Sequence, residues 1–147
     1  MKKERILIVE DHKDSLDVCI SLLSASGYEV KGAQSGIEAI GMCQNCEFDL
    51  VLSDYRLGDI TGLEVLEKSK DIMPACATVM MTAYATNDLI SSAFAAQTVS
   101  AFLLKPLNTE KLLSTVRSCL ARRSFKRRIS EISGMKIRRA VADIENL

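Results

Sequence analysis

Three observations predict a doubly wound α/β domain built on a five-stranded parallel sheet. Short apolar runs and helical patterns alternate five times along the chain. The run "ILIV" is apolar at every position, as befits a strand covered by helices on both faces, where a half-exposed strand would alternate. The first and third runs then end on acids, in "ILIVEDHKD" and "LVLSDYR", at the carboxyl edge where ligands bind in such sheets.

The elements follow in order. "RILIV" (5–9) is the first strand, and the helix after it places Leu16, Cys19, Ile20 and Leu23 at i, i+3, i+4 and i+7 before stopping at Gly27. "YEVKGA" (28–33) is the second strand. The second helix opens at Ser35 with Glu38 three residues on, and the third at Thr61 with Glu64; both are capping-box spacings. "DLVLS" (49–53) lies between them. "ATVMM" (77–81), a fourth helix from about Asn87 to Ala96, and "AFLL" (101–104) come next, and a fifth helix runs from Asn108 through Leu112, Leu113, Val116 and Leu120. Right-handed crossovers and the flavodoxin-like order 2-1-3-4-5 make the first and third strands neighbours at the switch point. The domain spans residues 4–121, and 122–147 form a basic helical extension, a tail or linker. Within it Ile129 and Ile132 continue the fifth helix, Gly134 is expected to interrupt it, and Ile137, Val141 and Ile144 space a second short helix.

Composition narrows the class. A 147-residue chain that is 48% hydrophobic can bury a real core. It shows no cleavable signal pattern and no run long enough to span a bilayer, so it reads as a soluble cytoplasmic protein with no membrane association. Five cysteines, an odd number, fit a reducing compartment, and Cys43 and Cys46 form a single C-x-x-C without the second ligand pair a structural zinc site needs. Net charge is zero but uneven: residues 122–147 hold eight Lys or Arg against three acids, net +5, leaving the body at −5.

At the predicted carboxyl edge Glu10 and Asp11 meet Asp54, and each pair of carboxylates repels by roughly 4 kcal/mol at 4 Å with an effective dielectric near 20. Positive charge is required there. Lys105, followed by Pro106 after the fifth strand, offers one cation, and a hard, oxygen-rich site suits a divalent ion such as Mg2+ still better. The fourth strand ends in Thr82. Taken singly, an acid pair is an ordinary helix cap, Asp54 a turn residue and Lys105 a surface charge. No Gly-rich phosphate loop is present.

An acid pair, a lone Asp, a Thr and a Lys-Pro, each ending its own strand in this order, resemble the receiver domain of two-component response regulators. "MMTAYAT" and "AFLLKPLNTEKLLSTVR" look most like receivers of enhancer-binding transcription activators. The resemblance implies that Asp54 is a phosphoacceptor, phosphorylated by a sensor histidine kinase or a histidine phosphotransfer protein. It implies Mg2+ (or Mn2+) held by Asp11, Asp54 and the main-chain oxygen of Arg56, with Glu10 acting through water. It implies that Lys105 and the Thr82 hydroxyl contact phosphoryl oxygens, with the small Ala83 leaving the approach open. Phe102, three residues before the lysine, matches the switch aromatic that turns inward as Thr82 moves and so alters the face made by the fourth helix, fifth strand and fifth helix; it also reads as a core residue. This describes a signalling module whose chemistry is limited to Mg-dependent self-phosphorylation and autodephosphorylation.

Departures from the family pattern are local. The loop "DYRLGDITG" has Gly58 where the family often has proline, which pre-orders it less. Arg56 and Tyr84 flank the site and are placed to screen an acyl phosphate from water. His12 reads as an exposed loop residue. Two other classes are weighed. A DNA-binding regulator acting through the basic tail is supported by "RRSFKRR" but lacks a helix-turn-helix or base-reading element. A phosphatase-like enzyme lacks a general acid or base besides the acids. The tail's apolar positions, Ile129 to Ile144, read instead as a stripe supporting a homodimer.

Overall fold

The computed structural model describes residues 2–83, 90–91 and 97–146. Five parallel strands, β1 (Arg5–Val9), β2 (Glu29–Ala33), β3 (Leu50–Asp54), β4 (Ala77–Thr82) and β5 (Ala101–Leu104), form one sheet in the order β2-β1-β3-β4-β5. β1 pairs with β3 from Ile6–Leu50 to Val9–Ser53, so the acids that follow Val9 and Ser53 leave the sheet side by side. Every residue of β3 and β4 is buried, whereas the edge strands β2 and β5 are exposed in part. That is the burial expected of central strands covered on both faces.

Helices α1 (Lys13–Ala25), α2 (Gly36–Asn45), α3 (Gly62–Ile72) and α4 (Thr109–Glu145) connect and follow the strands. Leu16, Cys19 and Leu23 of α1 join Leu112, Val116 and Leu120 of α4 over Ile6, Ile8, Leu50 and Leu52 on one face of the sheet. Ala39 and Cys43 of α2 and Val65 and Leu66 of α3 cover Leu7, Val9, Val51 and Met80 on the other. Thr61 and Glu64 complete a capping box, each side chain accepting the other's backbone N–H. At α2 the Ser35 hydroxyl accepts from the Glu38 N–H as expected, but the Glu38 carboxylate reaches back to the N–H of Gln34 and not to that of Ser35. The fourth helix expected at 87–96 falls largely outside the described residues.

The tail differs from expectation. α4 runs unbroken through Gly134 for 37 residues, about 55 Å at 1.5 Å per residue. A lone glycine in a helix interior costs about 1 kcal/mol relative to alanine, and the strong helix formers on both sides, Lys, Arg, Ala and Met, outweigh it. A continuous helix also divides the expected single stripe in two. At 100° per residue Phe125, Ile129 and Ile132 share one face, while Ile137, Val141 and Ile144 share another turned by roughly 120°. All six are exposed. Arg123 ties the helix to the body through Asp49, at 3.0 Å, and the carbonyl of Ala75, at 2.8 Å.

Candidate functional site

Glu10 and Asp11 lie just past β1, Asp54 closes β3, Thr82 closes β4, and Lys105 follows β5 directly. The sheet order therefore delivers five side-chain positions to one edge. Glu10, Asp54 and Thr82 are buried, while Asp11 is exposed. Glu10, Asp11 and Asp54 each offer a carboxylate oxygen, and the three lie within 4.8 Å of one another. Lys105 Nζ donates to Asp54 Oδ2 at 2.8 Å and to Glu10 Oε2 at 2.9 Å, and its backbone N–H donates to the Thr82 carbonyl.

One ammonium among three carboxylates leaves the edge negative. Burial pushes the Glu10 carboxyl above its ordinary value, the Lys105 hydrogen bond pulls it back, and the Asp54 charge adds to the rise. Burial opposes the Lys105 ammonium, yet its hydrogen bonds to Asp54 and Glu10 prevail and hold its pKa above the ordinary lysine value. An all-oxygen donor set with surplus negative charge, one member open to solvent, fits a hard divalent cation and not a soft one.

Backbone contacts hold the neighbourhood of Asp54. Ser53 Oγ donates to the Asp54 carbonyl at 2.9 Å, Tyr55 N–H to Met81 and Gly62 N–H to Tyr55 at 2.7 Å. A Cβ on Gly62 would run into the Asp54 carbonyl oxygen, so only glycine lets the start of α3 approach this closely. Arg56 and Thr61 form an antiparallel bridge that closes the loop between them. Gly58 faces open space. The order that the proline-free loop lacks locally comes from elsewhere. Asp59 accepts from the N–H groups of Gly36, at 3.0 Å, and Ile37, at 2.9 Å, and Ile60 packs on Gly36. Sequence reading missed Asp59 because its partners lie more than twenty residues away; an acid in a loop bears no mark of the helix it caps.

The Ile37 and Gly36 N–H groups hold the Asp59 carboxyl below its ordinary value. A depressed pKa in the folded state contributes stability that is present at neutral pH and lost as pH falls through the folded value. Asp59→Ala should therefore lower the melting temperature at neutral pH by the equivalent of at most about 1 kcal/mol, since the carboxylate is exposed. The gap between variant and wild type should close as the solution is acidified, which melts at a series of pH values would show.

Arg56 and Ala83 are exposed beside the edge, and Tyr84 lies outside the described residues. Phe102 is half-buried against the core on the α2–α3 face. His12 is exposed, and it also caps α1: Nδ1 faces the Ser15 N–H at 3.4 Å, while its own backbone N–H donates to Glu10 at 3.2 Å. Among the described residues no helix is long and apolar enough to cross a membrane.

Comparison with known proteins agrees with this geometry. The transcriptional regulatory protein ZraR of Klebsiella oxytoca is 34% identical over 116 residues, covering 79% of this chain and 26% of ZraR. The chain thus spans about a quarter of that relative's length. A CheY-like response regulator receiver domain protein from Methanospirillum hungatei superposes with a TM-score of 0.81 at 32% identity, over 85% of this chain and 99% of its own. The response regulator TrrA of Thermotoga maritima, solved in complex with Mg(2+)-BeF, superposes with a TM-score of 0.70 at 26% identity, over 79% of this chain and 98% of its own. The family model for the response regulator receiver domain matches residues 6–117, from the second residue of β1 through β5 and including the acidic edge, and the chain belongs to that family of phosphoacceptor signalling domains.

Proposed function

We propose that Asp54 is the phosphoacceptor of this receiver and that Glu10, Asp11, Thr82 and Lys105 serve its phosphorylation. The observation that carries the reading is Lys105 Nζ bridging Asp54 and Glu10 within a carboxylate trio that stays net negative. An Asp54 oxygen attacks the phosphorus of a phosphohistidine on a sensor histidine kinase or phosphotransfer protein. The new O–P bond forms as the P–N bond breaks, and the imidazole leaves with the electron pair. Lys105 then exchanges a carboxylate oxygen for a phosphoryl oxygen, and the Thr82 hydroxyl donates to another. Asp11, Asp54 and the main-chain oxygen of Arg56 would hold Mg2+ or Mn2+, with Glu10 acting through water; the bound ion supplies charge neutralisation for the incoming phosphoryl group. Ala83 leaves the approach open and Arg56 screens it from water. The test is incubation with acetyl phosphate and Mg2+ followed by intact mass measurement. A gain of one phosphoryl group that chelation abolishes is expected; no gain would overturn the reading.

Output runs through the face beside β5. A cleft of about 510 Å3 is lined by Phe102, Leu104, Pro106 and Leu107, and Leu104 is 63% exposed, an apolar surface for a partner whose shape follows Phe102 and Thr82. The relatives named as transcriptional regulators support a transcriptional output from a cytoplasmic protein. The exposed faces of α4 support a homodimer, since two apolar patches on a helix this long are covered by a second copy more readily than by the body. Removal of residues 124–147 should convert dimer to monomer in sedimentation while phosphorylation persists. A chain that is monomeric at full length would exclude this role for the tail.

A further inference from the structure

At the amino edge of the sheet, opposite the carboxylates, a cleft of about 840 Å3 opens between the body and α4. Its floor is the buried Cys76 and Ala77 at the start of β4, and Pro74, Val99, Cys119, Lys70 of α3 and Arg122, Lys126 and Arg127 of α4 also line it; Lys70 Nζ donates to the Pro74 carbonyl at 3.4 Å and Arg122 Nη2 to Cys119 Sγ at 3.5 Å. Arg123 is engaged by Asp49 and the Ala75 carbonyl. Among the described residues no carboxylate lies within ion-pair distance of Lys70, Arg122, Lys126 or Arg127, and Glu131 is the one acid that lines the cleft.

Arg122, Lys126 and Arg127 are exposed to solvent and Lys70 is half-buried. Arg122 with Lys126, and Arg123 with Arg127, are like charges one turn apart, an arrangement that weakens a helix unless a counter-charge sits between them. Two separate elements contribute positive charge to the lining of one open concavity of about 840 Å3. Guanidinium groups match phosphate oxygens in geometry, and lysine supplies a point charge. Burial keeps the Cys76 thiol protonated, with a pKa pushed up to about 11, so the floor adds no negative charge. We propose that this cleft binds a small anion bearing two adjacent phosphate groups, held between Lys70 on the body and Arg122, Lys126 and Arg127 on α4. Such a ligand would clamp the helix to the body from the side away from Asp54, giving α4 a second input.

The test uses the full-length chain carrying Asp54→Asn, with chelator present so that the acidic edge contributes neither metal nor phosphoryl binding. Titration calorimetry with inorganic pyrophosphate and with ADP should show saturable binding, with orthophosphate much weaker. Lys70→Gln alone and Lys126→Gln with Arg127→Gln should each weaken pyrophosphate binding roughly tenfold or more, the loss expected for a charge-assisted contact, with unchanged helical circular dichroism. Three results would overturn the proposal. One is no saturable binding of either probe. Another is binding indifferent to Lys70→Gln, which would place the ligand on the tail alone. The third is uptake of duplex DNA by the tail with no response to pyrophosphate.

Discussion

Asp54→Asn should gain no phosphoryl mass from acetyl phosphate and Mg2+ under conditions where the wild type gains one. Asparagine keeps the shape of aspartate but has no anionic oxygen, so the nucleophile is lost with little change in packing. The variant should nevertheless melt no lower than the wild type in the absence of divalent metal. Glu10, Asp11 and Asp54 crowd within 4.8 Å, so neutralising Asp54 removes two repulsions of roughly 4 kcal/mol each at 4 Å with an effective dielectric near 20, which outweigh the single Lys105 attraction it gives up, while Lys105 keeps its contact with Glu10. Added Mg2+ should raise the melting temperature of the wild type more than that of the variant, because one ligand has been removed. Intact mass and melts with and without Mg2+ check both parts, and equal labelling of the two proteins would remove Asp54 from its proposed role.

Gly62→Ala should lower both stability and the phosphorylation rate. The new Cβ meets the carbonyl oxygen of Asp54 and the Cα of Tyr55, at 2.9 Å, and both are main-chain atoms that no rotamer change can move aside. Relief requires shifting the start of α3 or the end of β3, at about 1–3 kcal/mol, the usual cost of overpacking. Shifting β3 displaces Asp54 relative to Lys105. Gly58→Ala, four residues earlier in the same loop, is the matched control. Nothing lies within 4 Å of its added Cβ, and its backbone is not among those with positive φ, so stability should hold or rise slightly. Urea melts and initial phosphorylation rates of the two variants separate a specific clash from a general sensitivity of the loop. Equal behaviour of the two would show that the close approach at Gly62 is unimportant.

Much of this protein was legible because its decisive signals are local. β1 and β3 declare themselves by unbroken apolar runs, and the covered β4 reads the same way despite Thr78, whose hydroxyl bonds the Thr98 carbonyl at 2.6 Å. Glu10, Asp54, Thr82 and Lys105 could be found because each closes or directly follows a strand, and parallel topology sends all those ends to one edge. The capping residues Ser35 and Thr61 were visible for the same reason: their partners lie three residues on.

What escaped depends on contacts between residues far apart in sequence. Asp59 orders the loop after Asp54 by capping α2, and Arg123 anchors α4 through Asp49, 74 positions earlier; nothing in the neighbouring residues marks either pairing. Gly134 failed as a helix breaker because its cost of about 1 kcal/mol is set against the propensity of the whole helix, which a residue-by-residue reading undercounts. Continuity then decided how the apolar residues of the tail are distributed. By itself the sequence determined the strands and the residues gathered at their carboxyl ends, because periodicity and strand ends are short-range properties, while the strand order followed from the likeness to flavodoxin-like folds. Only the tertiary structure decided how the loop is held and what the basic helix faces, because those follow from which distant surfaces can pack together.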